Sequence, residues 1–411
     1  MKIRSVITGV GVLAANGKGC QEFWQALKSG HAGDRPASLF ATDEFACDRV
    51  AEVPDFDARE YLGKKGLRTL DRSTRLLLCA ARMAITESGF EITDENADRC
   101  GVSVGTTLGS VKSIGDFNKE SLSEGPRYVN PALFPNTVIN SPSSQVSIWN
   151  NIQGFSNILA SGFTSSLDAV QYAVDMLALG RADYVLAGGV EEMCEYTFRG
   201  FYAMKFLLGS VAAEEFIHCP FDRRRNGALL GEGAVLMAIE LYDSARRRQA
   251  PVLAEIAGIG YRFDSSRVNR YHPSGQGLKD AVRAALDQAQ LSPGEIDGIF
   301  ANANSTRTAD CVESRVIQEV FGPSAPDVPV TATKSMTGEC YSVSGAMAVA
   351  AAVGTLQDGM IPPTVNYQYA DPEGGQINVV AGSSLKVDAE NLMVINVSPS
   401  GVSVCMILRK V

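Results

Sequence analysis

Histidine is nearly absent: the 411 residues contain three, His31, His218 and His272. Cysteine is present but nowhere clustered, since the nine thiols stand at positions 20, 47, 79, 100, 194, 219, 311, 340 and 405 with no C-x-x-C pair. Tetrahedral metal sites draw on clustered Cys and His, so no zinc centre is expected, and an odd, scattered set of thiols reads as reduced. Long apolar runs are missing too. The longest, Gly345 to Leu356, is rich in Ala and Gly and stops at Gln357-Asp358-Gly359, short of the roughly 20 residues a membrane helix requires. The opening stretch, Met1 to Gly9, is interrupted by glycine too early for a secretory signal. A cytoplasmic protein without a membrane partner is therefore expected. Positive charge is in deficit, with 37 Lys and Arg against 46 Asp and Glu for a net charge of −9. That is opposite to the basic footprint that phosphate backbones demand, and no nucleic-acid partner is expected.

What is present is an ordinary globular composition, 45% hydrophobic and 20% charged, far from that of disordered chains. Strand-like and helix-like segments alternate, the pattern of an α/β protein with buried sheets. Two stretches repeat one another. From Ser73, the helical run STRLLLCAARMAITESGF leads through ITDENADR to the strand CGVSVGTT; from Gly277, GLKDAVRAALDQAQ leads through LSPGEID to GIFANAN. The repeat predicts two halves of similar topology, residues 1–250 and 251–411. They join where the basic run Ala245 to Gln249 closes a helix before Pro251, a solvated helix end favoured by the macrodipole.

A third unit runs from Gly154 to Glu192. It reads as a strand over Phe155 to Ala160, a tight turn over Ser161 to Ser166, a helix over Leu167 to Leu179, and a returning strand from Ala182 that ends in Gly188-Gly189. Strand, sharp turn and helix start form a place suited to a nucleophile, because unpaired N–H groups there lower a thiol pKa and stabilise an oxyanion. The centre of this turn is Phe163, which has no nucleophilic atom. Ser165 and Ser166 read as caps and close-packing residues, with no His in any nearby motif. Gly9-Val10-Gly11 lacks the third glycine and the acidic residue of a dinucleotide loop, so no nucleotide cofactor is expected.

Five motifs, in order, carry a resemblance: Leu70-Asp71-Arg72-Ser73-Thr74-Arg75, Phe134-Pro135-Asn136-Thr137, Ala187-Gly188-Gly189-Val190-Glu191, Pro220 to Gly227 leading to Gly231-Glu232-Gly233-Ala234, and Thr333-Lys334-Ser335-Met336-Thr337-Gly338. Over essentially its whole length the chain resembles the β-ketoacyl synthases. The resemblance implies a thiolase fold, a duplicated α/β half arranged as a five-layer αβαβα sandwich. Active members use a Cys nucleophile and two His residues to condense acyl chains. By motif, the Cys position here is Phe163, the first His position is Asn304 and the second is Glu339, while Lys334 and Glu191 are retained. The family's Gly-Phe-Gly-Gly loop, which supplies an oxyanion donor, is here Pro399-Ser400-Gly401-Val402-Ser403.

Losing one general acid or base costs about 10²–10⁴ in rate, and a phenyl ring forms no thioester. The pattern resembles the chain-length-factor subunits of type II polyketide synthases, which pair with an active ketosynthase α-subunit. That implies no cofactor, a heterodimer, and contact with acyl carrier protein through the ketosynthase. Aromatic-polyketide members carry Gln at the Cys position, so Phe163 directs the resemblance toward reduced polyene pathways. The resemblance also places Leu108, Val111, Ile114, Phe117, Leu133 and Phe134 along the acyl tunnel near the dimer axis, with ordinary core as the alternative for each. An ion pair between Lys334 and Glu339 is expected, because a buried carboxylate must be paired or protonated. Cys340 is read as packing. Phe163 is read as a plug in the acyl site. Two rival readings stay open: an acyltransferase with a displaced nucleophile, and a homodimeric remnant that binds acyl groups or carrier protein.

Overall fold

A computed structural model describes residues 3–265 and 271–411; Met1 and Lys2 of the opening stretch lie outside the described residues. The first half is a sheet of β1 (Ser5–Ala14), β2 (Cys100–Gly105), β3 (Ser156–Leu159), β4 (Tyr184–Glu191) and β5 (Gly233–Leu241) in the order β1-β5-β4-β2-β3. The second half holds β6 (Ala254–Phe263), β7 (Gly298–Phe300), β8 (Pro329–Thr331), β9 (Asn378–Val379), β10 (Asn391–Val397) and β11 (Val402–Arg409) in the order β6-β11-β10-β7-β8-β9. The repeat is thus realised strand for strand: β1 and β6, β5 and β11, β4 and β10, β2 and β7 hold matching places. Pairing matches as well, antiparallel for β1–β5 and β6–β11, parallel for β2–β4 and β7–β10.

The two sheets of the sandwich also meet along one edge. β1 and β6 pair over Ser5–Ile7 and Ala254–Ile256, so the halves join in one continuous path of eleven strands. On their other edges β1 pairs with β5 and β6 with β11.

Alternation along the strands sorts the core into layers. In β10, Leu392 and Val394 face one cluster while Met393 and Ile395 face another; in β4, Val185 and Ala187 oppose Tyr184 and Leu186. The outer cluster of the first half rests under α1 (Arg72–Ser88), and that of the second under α4 (Gln276–Ala289) and α5 (Arg307–Phe321). Between the sheets lie α3 (Ser165–Ala178) and α6 (Ser344–Asp358), which complete the five layers. The Ala-rich run that was the longest apolar stretch is α6, buried almost all round. A helix wrapped on every side has no polar face to offer. Among the described residues no helix is long and apolar enough to cross a membrane.

Helix starts and stops follow local chemistry. Asp71 caps α1, its carboxylate accepting the Thr74 N–H at 2.8 Å. The strand expected over 155–160 is β3, the outermost of its half, and its side chains are partly exposed.

The sheet approaches the turn before α3 at Gly105, where an added Cβ would lie 2.2 Å from the Ser165 carbonyl carbon and 2.3 Å from the Ser166 nitrogen. Gly105→Ala is therefore expected to destabilise the protein by about 1–3 kcal/mol through overpacking. Denaturant unfolding would show this as a lower midpoint at unchanged slope.

Candidate functional site

Between β3 and α3 the chain turns through Ser161-Gly162-Phe163-Thr164. Gly162 takes φ +98 with Ser398 and Ser400 packed against it, a conformation L side chains rarely adopt. Phe163 is 5% exposed. Its ring meets Phe201, Phe206 and Tyr341 at centroid distances of 6.0, 5.9 and 6.0 Å, within the range of edge-to-face aromatic contacts. A cavity of about 1670 Å³ opens above it, lined among others by Leu108, Val111, Tyr196, Phe206 and Arg307. Phe163 therefore sits at the base of a ligand-sized space as part of an aromatic cluster. Ser165 Oγ donates to the Gly162 carbonyl at 2.6 Å, and Ser166 Oγ accepts the Ala346 N–H at 3.1 Å, tying α3 to α6. Both serines serve packing and turn closure.

The other two positions named from sequence are bonded to each other. Asn304 Nδ2 donates to Glu339 Oε2 at 2.8 Å, and Lys334 Nζ reaches the same oxygen at 2.9 Å. Glu339 Oε1 accepts from Ser344 Oγ at 2.8 Å, while Lys334 also donates to Asn302 Oδ1 at 2.9 Å. Thr306 Oγ1 donates to Asn304 Oδ1 at 2.7 Å. Asn304 and Glu339 are fully buried and absent from the residues lining the cavity. The expected Lys334–Glu339 pair is present, and the carboxylate's two oxygens are committed to three side chains. All three contacts lie within the protein interior.

Cys340 is buried, with Sγ 3.4 Å from the Thr337 carbonyl and 3.5 Å from that of Glu232. Burial pushes its thiol well above the ordinary range, so it lacks the thiolate character of a nucleophile. His218 is buried. Its Nε2 lies 2.8 Å from the Lys334 carbonyl and its Nδ1 accepts the Leu229 N–H at 3.3 Å. Desolvation holds its pKa down. The ring thus braces the loop that carries Lys334.

Residues 4–245 match the family described as "Beta-ketoacyl synthase, N-terminal domain", and residues 253–368 match "Beta-ketoacyl synthase, C-terminal domain". The chain belongs to the β-ketoacyl synthase family. It is 32% identical over its whole length to a 3-oxoacyl-[acyl-carrier-protein] synthase 2 of Coxiella burnetii, covering 99% of that protein. Against the tetracenomycin polyketide synthase ketoacyl synthase alpha subunit of Streptomyces glaucescens the identity is 34%, over 90% of this chain and 88% of the relative. Among solved structures, "The ishigamide ketosynthase/chain length factor" superposes with a TM-score of 0.92 at 28% identity, covering 100% of both chains. The type II polyketide ketosynthase complex AntDE:AntF gives 0.90 at 25% identity, again over 100% of both chains.

In this member of the family, the six apolar residues expected along a tunnel divide. Leu108 and Val111 line the cavity at Phe163. Ile114, Phe117, Leu133 and Phe134 are absent from that lining. Nor are they core, since the helix α2 (Val111–Glu124) has no buried residue and Phe134 is 57% exposed. Phe117 and Phe134 meet each other edge-on at 6.1 Å. Glu191, the retained motif acid, is buried and its carboxylate accepts the Thr107 N–H. Sequence reasoning missed Phe201, Phe206, Tyr341 and Ser398, since an aromatic or a serine far from position 163 in the chain carries no spacing signal.

Burial pushes Glu191 and Glu313 up to about 8 and Glu192 up to about 7, from 4.5. A folded-state carboxyl pKa above the unfolded one means that the native state holds more protons. These acids therefore contribute stability that is fully present below about pH 4.5 and lost as pH rises toward 8. His218, with its lowered pKa, acts in the opposite sense near 6.5. The three carboxyls outweigh it, so melting temperature is expected to fall as pH rises from 5 to 8, and Glu313→Gln to flatten that slope. A scanning calorimetry pH series checks both. Removing one partner of a buried pair costs about 3–5 kcal/mol, so Glu339→Ala, which strands Lys334, is expected to lower stability by that order in urea titration.

Proposed function

We propose that this chain is a chain-length-factor-like subunit that does no chemistry itself and pairs with an active β-ketoacyl synthase in a cytoplasmic heterodimer. The observation that carries the reading is the filled elbow: where the fold would hold a nucleophile, Phe163 packs against Phe201, Phe206 and Tyr341. A phenyl ring accepts no acyl group. The Asn304–Glu339 hydrogen bond supports it, because these side chains satisfy each other and Lys334.

An exposed apolar face supports pairing. Ile114, Leu122, Tyr128, Leu133, Phe134 and Ile148 are all exposed, Leu122 to 88%, and β3 ends the sheet of its half. Large exposed apolar patches mark interaction sites, and an outermost strand offers unpaired backbone groups to a neighbour. The partner ketosynthase α-subunit would supply the Cys and two His residues and receive the acyl carrier protein. The α2 face would then close the far end of its product tunnel. Phe163 in place of Gln fits a reduced polyene pathway rather than an aromatic one.

Three outcomes are expected. Incubated with malonyl- or acyl-charged carrier protein, the isolated chain should gain no acyl mass and release no CO₂, and an acyl adduct in intact-mass spectra would sink the reading. With the partner present, native mass spectrometry should show a heterodimer. In that complex Phe117→Ala or Phe134→Ala should lengthen the products by one or more two-carbon units at lower yield, because removing a ring at the closed end leaves room for further extension. An unchanged length distribution from both folded variants would place the ruler elsewhere.

A further inference from the structure

The turn after β10 closes on the elbow from the other half of the molecule. The Phe163 N–H donates to Ser398 Oγ at 3.1 Å. The Ser398 and Ser400 hydroxyls lie 2.7 Å apart, the Ser400 N–H also donates to Ser398 Oγ at 3.3 Å, and Ser400 Oγ donates to the Ser161 carbonyl at 3.1 Å. The turn is braced from behind as well: Gly401 gives its N–H to the Ser398 carbonyl at 3.0 Å and takes the Asp264 N–H at 2.7 Å. Ser398 is 1% exposed, so its oxygen stays in place of any solvent molecule.

In acyl transfer, the backbone N–H of the nucleophilic residue receives the oxygen that turns negative in the tetrahedral intermediate. At this elbow that N–H belongs to residue 163, and it already has an acceptor. We propose that Ser398 is a built-in occupant of the oxyanion position, a second lock that prevents the elbow from polarising a thioester carbonyl whatever side chain stands at 163. The inference rests on reading the elbow as a vestigial acyl site. Phe163 removes the nucleophile, Ser398 uses up the donor, and the Ser400–Ser161 bond keeps the turn from swinging away.

The test uses the full chain with Phe163→Cys, alone and combined with Ser398→Ala. Two reactions of the introduced thiol are timed by intact mass. With an acyl N-acetylcysteamine thioester, a new sulfur–acyl bond forms, the old one breaks, and N-acetylcysteamine leaves as the free thiol carrying the proton. With iodoacetamide, sulfur displaces iodide from a saturated carbon and no oxyanion arises. Ser398→Ala should speed acylation by about 10²-fold, the usual worth of one oxyanion donor, while alkylation changes by less than about threefold. An equal rise in both rates would mean that Ser398 only limits access, and no rise in acylation would mean that the N–H is not the donor; either overturns the proposal. Ser398→Gly, tested in parallel with circular dichroism as the check on folding, carries the same expectation. Acylation of the unaltered chain would instead overturn the non-catalytic reading, and the two rates would still decide the role of Ser398.

Discussion

Everything at the site depends on a geometric constraint, the burial of α3 and α6 between two sheets. A helix with a sheet on each side must be small and apolar around its circumference, which is why α6 reads SGAMAVAAAVGTLQD and α3 presents Leu167, Ala169, Val170 and Ala173 to the core. The same squeeze brings β2 against the start of α3 at Gly105 and joins the two helices through Ser166 and Ala346. The elbow is therefore held at a spot where loops of both halves converge. Any side chain at position 163 inherits that placement, whether it carries chemistry or not.

Given that placement, the residues around the elbow satisfy one another. Phe163 is enclosed by rings, its N–H is taken by Ser398, and Asn304, Glu339, Lys334 and Ser344 form a closed polar group. A buried polar network is favourable only when its members are paired, and this one meets that condition. An acid–base site keeps lone pairs and protons available for a substrate. Here those valences are spent inside the protein, while the apolar surface that a stable monomer would cover is left open on α2.

Much of this was legible in the linear order of residues. The duplication shows in two helix–turn–strand passages, because the 3.6-residue and two-residue periods of helix and strand are local properties. The elbow with Phe163 at its centre follows from a strand, small residues and a helix in succession, and the Lys334–Glu339 pair from the cost of burying either charge alone. Tertiary structure alone decided the rest. Ser398 meets residue 163 across 235 positions and Asn304 meets Glu339 across 35, contacts with no periodicity to announce them. The joining of the halves by three residues of β1 and β6 is an edge-to-edge event outside either repeat. Finally, Phe117 and Phe134 could be tunnel or core in sequence, and in the structure Phe117 is half-buried and Phe134 exposed, because hydrophobicity says that a side chain seeks cover without saying which molecule provides it.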